Sequence, residues 1–443
     1  MQKKKDVESI SYSNKQKNVF RDFNTARKSK DGKVLFENFV SLSLLQIAGY
    51  IFPLITIPYL SRVIGVEKFG EIAFASTVVG YFQTVIDWGF NFAATRDIAR
   101  NRQDKDKVSE IFSTVIWAKL LLMAISLIIL LILVLIIPKF RQMSILIILT
   151  FLSILGQIMF PEWLFQALER MKYITILNLI AKAIFAGAVF VFIREKSDFI
   201  LQPLLTSLGY FFSGLIAMYI ILRKWSIKLV RPSYIAIKNA IHGSADIFIN
   251  NFMPNLYNSF SVLLLGFWGG PVSNGKLDAG SRFVSILSTF NAILSRTFYP
   301  FLSRKIDKHR FFAKINIYAS LILSILLFLF APLLIRIFFT PEFNDSIIVL
   351  RIMAFSIIFL TLSNVYGTNY MIIQGCEKEL RNVTMRSSLI GLIISLPLVY
   401  YFDFIGAAIT ITLTRGILGM SISYHAKKIK NMNKFEEVSY KIN

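Results

Sequence analysis

Several basic side chains lie inside apolar stretches of this 443-residue chain, where an ionised group is costly unless it faces water or a partner. The candidate binding residues among them are Lys182, Arg282, Arg296, Arg351 and Arg415. Lys182 and Arg415 lie deepest, and a Lys or Arg stem of about 5–6 Å is too short to reach the nearer membrane surface. We therefore expect both to face an internal, hydrated space, whereas Arg351 lies closer to an end and snorkelling explains it equally well.

An interior with several cations and few anions is suited to an anionic substrate. Arginine favours phosphate in particular, because its planar guanidinium group donates two parallel hydrogen bonds. Arg282 and Arg296 lie about four helical turns apart and so share one helix face. The sequence therefore predicts a binding cavity for a phosphate or diphosphate group.

Two acidic residues, Asp87 and Asp246, lie near the ends of their apolar stretches. Asn91 follows Asp87 by four residues, a spacing that places both on one face of a continuous helix. Our hypothesis is that Asp87, together with Asp246, pairs with Arg296 in a gate or in ion coupling. The alternative is that Asp87 satisfies the local backbone or the arginines that follow it.

Two apolar stretches contain proline and polar residues at corresponding places. Proline frees a backbone carbonyl and bends a helix, and paired interruptions of this kind mark the substrate-lining helices of transporters. A static kink without function is the alternative. The residues concerned are Gln46, Pro53, Pro58, Asn250, Asn251, Pro254 and Asn255.

Other common chemistries are excluded by the residues present. Cys376 is the only cysteine and the three histidines lie far apart, so we expect no metal site and no cofactor. The run GPVSNGKL resembles a phosphate-binding loop, but Leu277 stands where Ser or Thr should hold magnesium. The net charge of +23 comes without a nucleic-acid recognition motif, so we expect no nucleic-acid partner. The predicted outer loops are too short to hold a catalytic site, so we expect no enzyme.

The elements that must position these residues are membrane-spanning helices. The chain is 55% apolar and 17% charged, and LLLMAISLIILLILVLII (120–137) is long enough to cross a bilayer. Similar stretches recur along the chain and predict an all-α integral membrane protein with twelve transmembrane helices. The predicted spans are 38–60, 70–91, 112–137, 143–165, 174–193, 203–222, 243–267, 277–300, 313–338, 346–371, 384–401 and 404–424.

Lys and Arg residues orient these spans. With the N-terminus inside, the inner segments carry roughly five times as many Lys and Arg residues as the outer loops. The bias predicts that both termini are cytoplasmic. It also places the basic residues beside anionic phospholipid headgroups.

The two halves of the chain form an internal repeat. GVEKFG (65–70) and GPVSNG (270–275) are 205 residues apart, and FQALERMKYIT matches IQGCEKELRNV at a similar offset. Six spans per half predict two six-helix lobes related by a parallel pseudo-twofold repeat. The predicted domains are a basic cytoplasmic tail (1–37), an N-lobe (38–222), a cytoplasmic linker (223–242), a C-lobe (243–424) and a second tail (425–443).

Three segments resemble a known family. NFVSLSLLQIAGYIFPLITIPYLSRVIGVEKFGEIAFA (38–75), DWGFNFAATRDIARNR and PEWLFQALERMKYIT resemble the Wzx-type flippases of O-antigen and capsular polysaccharide repeat units. The second half matches mainly through IQGCEKE and its layout, and the long basic N-terminal tail departs from the family's short start. The family belongs to the multidrug, oligosaccharidyl-lipid and polysaccharide exporter superfamily.

The resemblance implies a function. It implies a central cationic cavity and ion-coupled, alternating-access transfer of undecaprenyl-pyrophosphate-linked oligosaccharide repeat units to the outer leaflet of the bacterial inner membrane. A lipid-linked oligosaccharide is then the substrate, and the polysaccharide polymerase and chain-length regulator are candidate partners. The alternatives are a multidrug or metabolite exporter of the same superfamily, a peptidoglycan lipid-precursor flippase, and a membrane-embedded polymerase, which the short outer loops disfavour.

Overall fold

The computed structural model describes the backbone of residues 30–304 and 306–442. The N-terminal tail before residue 30 lies outside the described residues. So do the side chains of Gln46, Asp246, Asn250 and Arg296, and with them the predicted gate partners of Asp87. The described chain is helical, without strands, which confirms the all-α prediction.

The helices follow one another through both halves of the chain, joined by short turns. The first half contains α1 (Lys30–Asp87), α2 (Phe90–Arg100), α3 (Lys105–Ile136), α4 (Pro138–Gln142), α5 (Ser144–Phe151), α6 (Ser153–Met159), α7 (Glu162–Ala167), α8 (Met171–Phe192) and α9 (Leu201–Tyr219). The second half contains α10 (Tyr234–Gly243), α11 (Ala245–Phe252), α12 (Asn258–Trp268), α13 (Gly270–Arg304), α14 (His309–Phe338), α15 (Ser346–Ala354), α16 (Ser356–Leu362) and α17 (Glu377–Ile442).

Local sequence signals set the helix ends. The Asp104 carboxylate accepts hydrogen bonds from the backbone N–H groups of Asp106 and Lys107, at 3.0 and 2.9 Å, and so caps α3. At the other end Pro138 follows Ile137, which is extended because a residue before proline is disfavoured in the helical region. The long apolar run between these two signals forms one helix of 32 residues.

Eight stretches of the described chain are long and apolar enough to cross a membrane, so the protein is a multi-pass membrane protein. The stretches are Ile51–Arg100, Lys105–Ile136, Ser144–Ala167, Met171–Phe192, Lys196–Lys224, Ile306–Phe338, Ser346–Met371 and Glu377–Ile429. The first bends at Gly65 and the last at Asp403, each in the left-handed backbone region, so each can hold two predicted spans.

Two further predicted spans coincide with helices that fall outside these eight stretches. The seventh is divided into α11 and α12, both short, and the eighth corresponds to α13, which carries several charged residues. Helix therefore occupies all twelve predicted positions. The count of twelve spans, the boundaries of the domains and the division into lobes stay predictions.

The two repeat motifs meet each other where α1 packs against α13. A Cβ atom added to Gly70 would overlap the carbonyl group of Pro271, and one added to Gly275 would overlap the carbonyl group of Val66. Val66 and Pro271 are themselves 205 residues apart, as are Gly65 and Gly270, which both have positive φ. Such reciprocal contacts are what a two-fold relation between the halves produces, and they support the predicted repeat.

Apolar packing and hydrogen bonds reinforce this end of the bundle, which the sequence predicts to face outside. The Phe69 ring lies edge-on to Phe339 and Phe343, with ring centroids 6.0 and 5.6 Å apart. The Glu342 carboxylate accepts a hydrogen bond from the Val66 N–H at 3.1 Å. The two halves are therefore closed against each other at this end.

The first span was predicted to be interrupted at its prolines, and this prediction is wrong. Helical backbone continues through Pro53 and Pro58, and the first break comes at Gly65. Thr56 and Ser61 donate hydroxyl hydrogen bonds to the carbonyls of Phe52 and Pro58, at 3.0 and 3.1 Å, within the same segment. Proline is more frequent in membrane helices than in soluble ones, and here it leaves the helix continuous.

The seventh span is interrupted as predicted. A 3₁₀ turn, Met253–Leu256, separates α11 from α12 and contains Pro254. Asn255 lies at this turn and joins it to α1, since its Nδ2 donates to Thr84 Oγ1 at 3.1 Å and its carbonyl accepts from Tyr81 at 3.0 Å. Asn251 is exposed one turn earlier.

The predicted linker and tails also have defined structure where the chain is described. The backbone N–H groups of Lys228 and Val230 donate to Ser109 and Ser113 of α3, and α10 follows. Helix α1 begins at Lys30, ahead of the predicted first span, and α17 continues to Ile442 through the predicted second tail.

We predict that Gly70→Ala and Gly275→Ala each lower the thermal midpoint of the purified protein. Each new methyl group meets backbone rather than a movable side chain, and overpacking costs about 1–3 kcal/mol. Gly187→Ala in α8 is the matched control, because a Cβ there has nothing within 4 Å and alanine favours helix. Equal midpoints for all three variants would contradict the close glycine contact.

Candidate functional site

Two adjoining cavities lie in the first half of the bundle. The apolar cavity, of about 270 Å³, is lined by α1, α8, the start of α9 and Arg282 of α13. The polar cavity, of about 330 Å³, is lined by residues of α1, α2, α3 and α6–α9. Asn178, Lys182 and Tyr210 belong to both linings, so they form the boundary between the cavities.

Lys182 lies in the middle of α8 and lines both cavities. Its role as a cation of a hydrated interior stays a prediction. It interacts electrostatically with Glu162 but donates no hydrogen bond to a described carboxylate. Its Nζ is 3.5 Å from the position a Cβ atom would take on Gly49. The ammonium group therefore lies close to α1 at Gly49.

Arg282 lines the apolar cavity and is held in place by two neighbours. Its guanidinium group pairs with Asp278, one helical turn earlier, at 2.6 Å, and lies over the Phe69 ring at 4.8 Å from the centroid. The structure thus brings together two of the predicted cations, Lys182 and Arg282. Arg282 keeps a carboxylate partner that the sequence analysis had not assigned to it.

The other predicted cations with described side chains, Arg351 and Arg415, lie in the second half. Arg415 donates to Ser356 Oγ and Asn258 Oδ1 at 3.0 and 3.2 Å, and its Nε is a buried donor without a described partner. Arg351 rests over the Phe328 ring at 5.3 Å. These cations are stabilised by neutral oxygens or an aromatic face.

Asp87 pairs with a lysine, not with the arginines of the run that follows it. Its carboxylate accepts from Lys119 Nζ at 2.8 Å and from Gln83 Nε2 at 3.0 Å. The helix is interrupted between α1 and α2, where Trp88 and Gly89 have positive φ, so Asp87 and Asn91 do not share one continuous helix. Lys119 nevertheless bridges them, because Asn91 Oδ1 accepts from the same ammonium group at 2.9 Å.

Glu162 is a functional candidate that the sequence analysis missed. It begins α7, directly after the helix break at Phe160 and Pro161, and faces the polar cavity. Asn178 Nδ2 donates to its carboxylate at 2.9 Å. The sequence did contain a signal for it, because Glu162 is an acidic residue within the predicted span 143–165.

The charges of the polar cavity balance among the described residues. Its lining holds two lysines, Lys119 and Lys182, and two carboxylates, Asp87 and Glu162. The expected surplus of cations is therefore not found at this cavity in this conformation. A buried charge needs such compensation, because it has lost its hydration.

A sequence profile of the polysaccharide biosynthesis protein family matches residues 35–306. The chain belongs to this family. It is 31% identical over 388 residues to a protein of Escherichia coli (strain K12) named "Putative O-antigen transporter", covering 86% of this chain and 94% of that protein. A protein of the same name from Shigella dysenteriae is 26% identical over 391 residues, covering 86% and 97%.

Solved structures of two transport proteins share the fold. The lipid II flippase MurJ, in an inward closed conformation, matches with a TM-score of 0.66 and 15% identity over 88% of this chain and 87% of its own. An inward-facing multidrug resistance MATE family transporter of the MOP superfamily matches with a TM-score of 0.60 and 14% identity, covering 90% and 99%. The relatives from Escherichia coli and Shigella dysenteriae are both named as transporters, which agrees with the expectation of a non-enzyme.

We predict that Asp87→Asn destabilises the protein, because it leaves Lys119, whose side chain is 5% exposed, without its counter-ion. Breaking a buried pair costs about 3–5 kcal/mol, and the loss should fall near the lower end because Asp87 is 32% exposed. Thermal unfolding in detergent measures it. Asp97→Asn, in an exposed pair with Arg96, serves as the control and should change little.

A second substitution tests whether the loss comes from the pair itself. Asp87→Asn combined with Lys119→Met removes both charges and should recover part of the stability lost in Asp87→Asn. If the double variant is less stable than the wild type by the full sum of the two single-variant losses, the two side chains act independently.

Proposed function

We propose that this protein is a flippase that moves undecaprenyl-diphosphate-linked oligosaccharide repeat units from the cytoplasmic to the outer leaflet. Its family membership and its similarity to two proteins named for O-antigen transport, over nearly their whole length, carry the proposal. Such a substrate joins a doubly charged diphosphate to a long apolar chain and a polar sugar.

The diphosphate binds between Lys182 and Arg282 in the proposed mechanism. Both cations line the apolar cavity, and Lys182 has no described carboxylate within hydrogen-bonding distance. Arg282 donates to Asp278 and could present its remaining N–H groups to phosphate oxygens. Arg296, Arg351 and Arg415 are proposed as later contacts along the path.

Ion coupling is proposed to act through the polar cavity. Lys182 interacts electrostatically with Glu162, and a bound diphosphate would draw the ammonium group toward the apolar cavity. Glu162 would then lose its charge interaction with Lys182 in a poorly hydrated site, where the neutral acid is favoured. Substrate binding would in this way promote proton uptake, and the return of Lys182 would promote release.

Alternating access is proposed to open and close the two ends of the bundle in turn. This conformation is closed where Gly70 and Gly275 meet, at the end that the Lys and Arg bias assigns to the outside. Closure of the opposite end is proposed to involve Asp87 and Asp246 with Arg296. Asp87 would have to leave Lys119 for this exchange.

The protein is proposed to lie in the bacterial inner membrane with both termini in the cytoplasm. Anionic phospholipid surrounds it there, and the polysaccharide polymerase and chain-length regulator are proposed neighbours in the assembly of the polymer. The concentration of Lys and Arg residues in the predicted inner segments supports this orientation.

One observation favours the rival function of a multidrug or metabolite exporter. The polar cavity contains two carboxylates, Asp87 and Glu162, and carboxylates are suited to hold a cationic compound. Both already accept hydrogen bonds from protein side chains, so a cation would have to displace Lys119 or Asn178. Resistance to cationic compounds that depends on both carboxylates would support the exporter.

The gene deletion distinguishes these functions. A flippase deletion should accumulate lipid-linked repeat units on the cytoplasmic leaflet, and the wild-type gene should restore transfer. Accumulation on the outer leaflet would identify a later step such as polymerisation, and accumulation of the peptidoglycan precursor would identify the related flippase activity. Normal transfer in the deletion strain would contradict the proposal.

We predict that Lys182→Gln lowers the rate of repeat-unit transfer by about tenfold or more, the effect of losing a charge-assisted hydrogen bond to phosphate. Lys172→Gln, at an exposed lysine near the start of the same helix, is the control and should transfer at the wild-type rate. The measurement is transfer in membranes with matched amounts of protein. Equal rates for the two variants would contradict diphosphate binding at Lys182.

We predict that Glu162→Gln removes the dependence of transfer on the proton gradient. Glutamine keeps the hydrogen bond with Asn178 but cannot gain or lose a proton, so downhill exchange should continue while gradient-driven transfer is lost. Proteoliposomes with and without a pH gradient measure this. Gradient-stimulated transfer at the wild-type level in Glu162→Gln would exclude Glu162 as the coupling group.

A further inference from the structure

A basic pocket of about 240 Å³ lies at the start of α14, far along the chain from the cavities described above. It is enclosed by α14, by the π-helical segment Ser363–Met371 and by α17. Its lining consists of His309, Arg310, Ala313, Lys314, Ile317, Tyr366, Tyr370, Ala426 and Lys427.

The floor of the basic pocket is rigidly built. His309 is 4% exposed, and its Nε2 lies 2.9 Å from the carbonyl oxygen of Val365. The rings of Tyr366 and Tyr370 pack on the imidazole, with centroids 5.7 and 4.9 Å away. π-Helical segments are frequent at functional sites, and the segment Ser363–Met371 supplies both tyrosines.

The charge of the basic pocket is positive and not balanced within its lining. Arg310, Lys314 and Lys427 contribute three exposed cations, and among the described residues no Asp or Glu lines the pocket. The nearby Asp307 pairs with Lys308 at 3.3 Å. The pocket therefore attracts an anion.

Membrane topology alone does not account for this charge. The corresponding helix of the first half, α3, starts with KDKVSE, where Lys107 pairs with Glu110 at 2.8 Å and Asp106 offsets Lys105. The start of α14 reads HRFFAK and has no acid. Both helix starts have the same predicted orientation, so the surplus of cations belongs to the second half.

An exposed apolar strip beside the basic pocket indicates what carries the anion. Phe311, Ile315, Tyr318 and Ile322 follow the helical spacing along α14 and are 68%, 51%, 64% and 57% exposed. In a spanning helix such a strip contacts acyl chains. The pocket lies at its N-terminal end, where the headgroup of the same lipid would be.

We propose that the basic pocket binds the phosphate group of an anionic phospholipid from the adjoining leaflet. Arg310, Lys314 and Lys427 surround the phosphate, the tyrosine hydroxyls are available as donors, and the acyl chains follow the strip along α14. The site is separate from the transport cavities, and its occupation does not depend on the proposed substrate. It fastens α14, the π-helical segment and α17 to one lipid.

The test is binding of the purified full-length protein to phosphatidylglycerol in nanodiscs or mixed micelles, with phosphatidylcholine as the neutral reference. Removal of each lysine, as Lys314→Gln or Lys427→Gln, should weaken binding about fivefold, and the double variant should lose both contributions. Lys428→Gln is the matched control, since this exposed lysine is next to Lys427 but does not line the pocket. It should bind as the wild type does.

Two outcomes would overturn the proposal. If the Lys314→Gln, Lys427→Gln double variant keeps the wild-type preference for phosphatidylglycerol, the basic pocket does not bind the lipid. Protection of the wild-type protein against heat by inorganic phosphate, equal to that by phosphatidylglycerol and lost in the same double variant, would assign the pocket to a soluble phosphate compound instead. Lys314 and Lys427 are both exposed, so replacing them with glutamine leaves the packing around His309 intact. Misfolding therefore does not obscure either result.

Discussion

A charge buried in a membrane bundle is stable only where another group compensates it, and this constraint organises the first half of the protein. Lys119 is almost completely buried and is held by Asp87 and Asn91. Glu162 is held by Asn178 and interacts with Lys182. Five helices, α1, α2, α3, α7 and α8, are joined by these contacts, and a partner that displaces one charge must leave another uncompensated. That property makes the polar cavity suited to link substrate binding to proton uptake.

The closure between the halves depends on backbone proximity. Gly70 and Gly275 allow α1 and α13 to approach until each helix touches a carbonyl group of the other, and the two contacts are equivalent under the repeat. The two contacts must open together, because neither helix can move away from the other without losing both. Phe69 belongs to this closed end and also lines the apolar cavity, where Arg282 lies over its ring. The closed end and the cation site are therefore in direct contact.

Much of the fold could be predicted because its signals are local. Apolar length predicted the helices, and the two glycine motifs 205 residues apart predicted a repeat whose members contact each other. Lys182 was predicted as an interior cation because its distance from both helix ends excludes snorkelling. Pairings could not be predicted in the same way. The contact of Asp87 with Lys119 joins helices that are adjacent only in three dimensions, and Glu162 was missed because it follows a helix break. Pro53 and Pro58 predicted a break in the first helix, but helical backbone continues through both residues.

The central claim is that a bound diphosphate takes Lys182 from Glu162 and thereby leaves the acid protonated. Infrared difference spectroscopy of the purified protein measures this directly, because a protonated carboxylic acid has a C=O stretching band that a carboxylate lacks. Addition of a lipid-linked diphosphate should produce such a band, and the band should be absent from the Glu162→Gln protein. A substrate that binds with full affinity and produces no Glu162-dependent band would contradict the account.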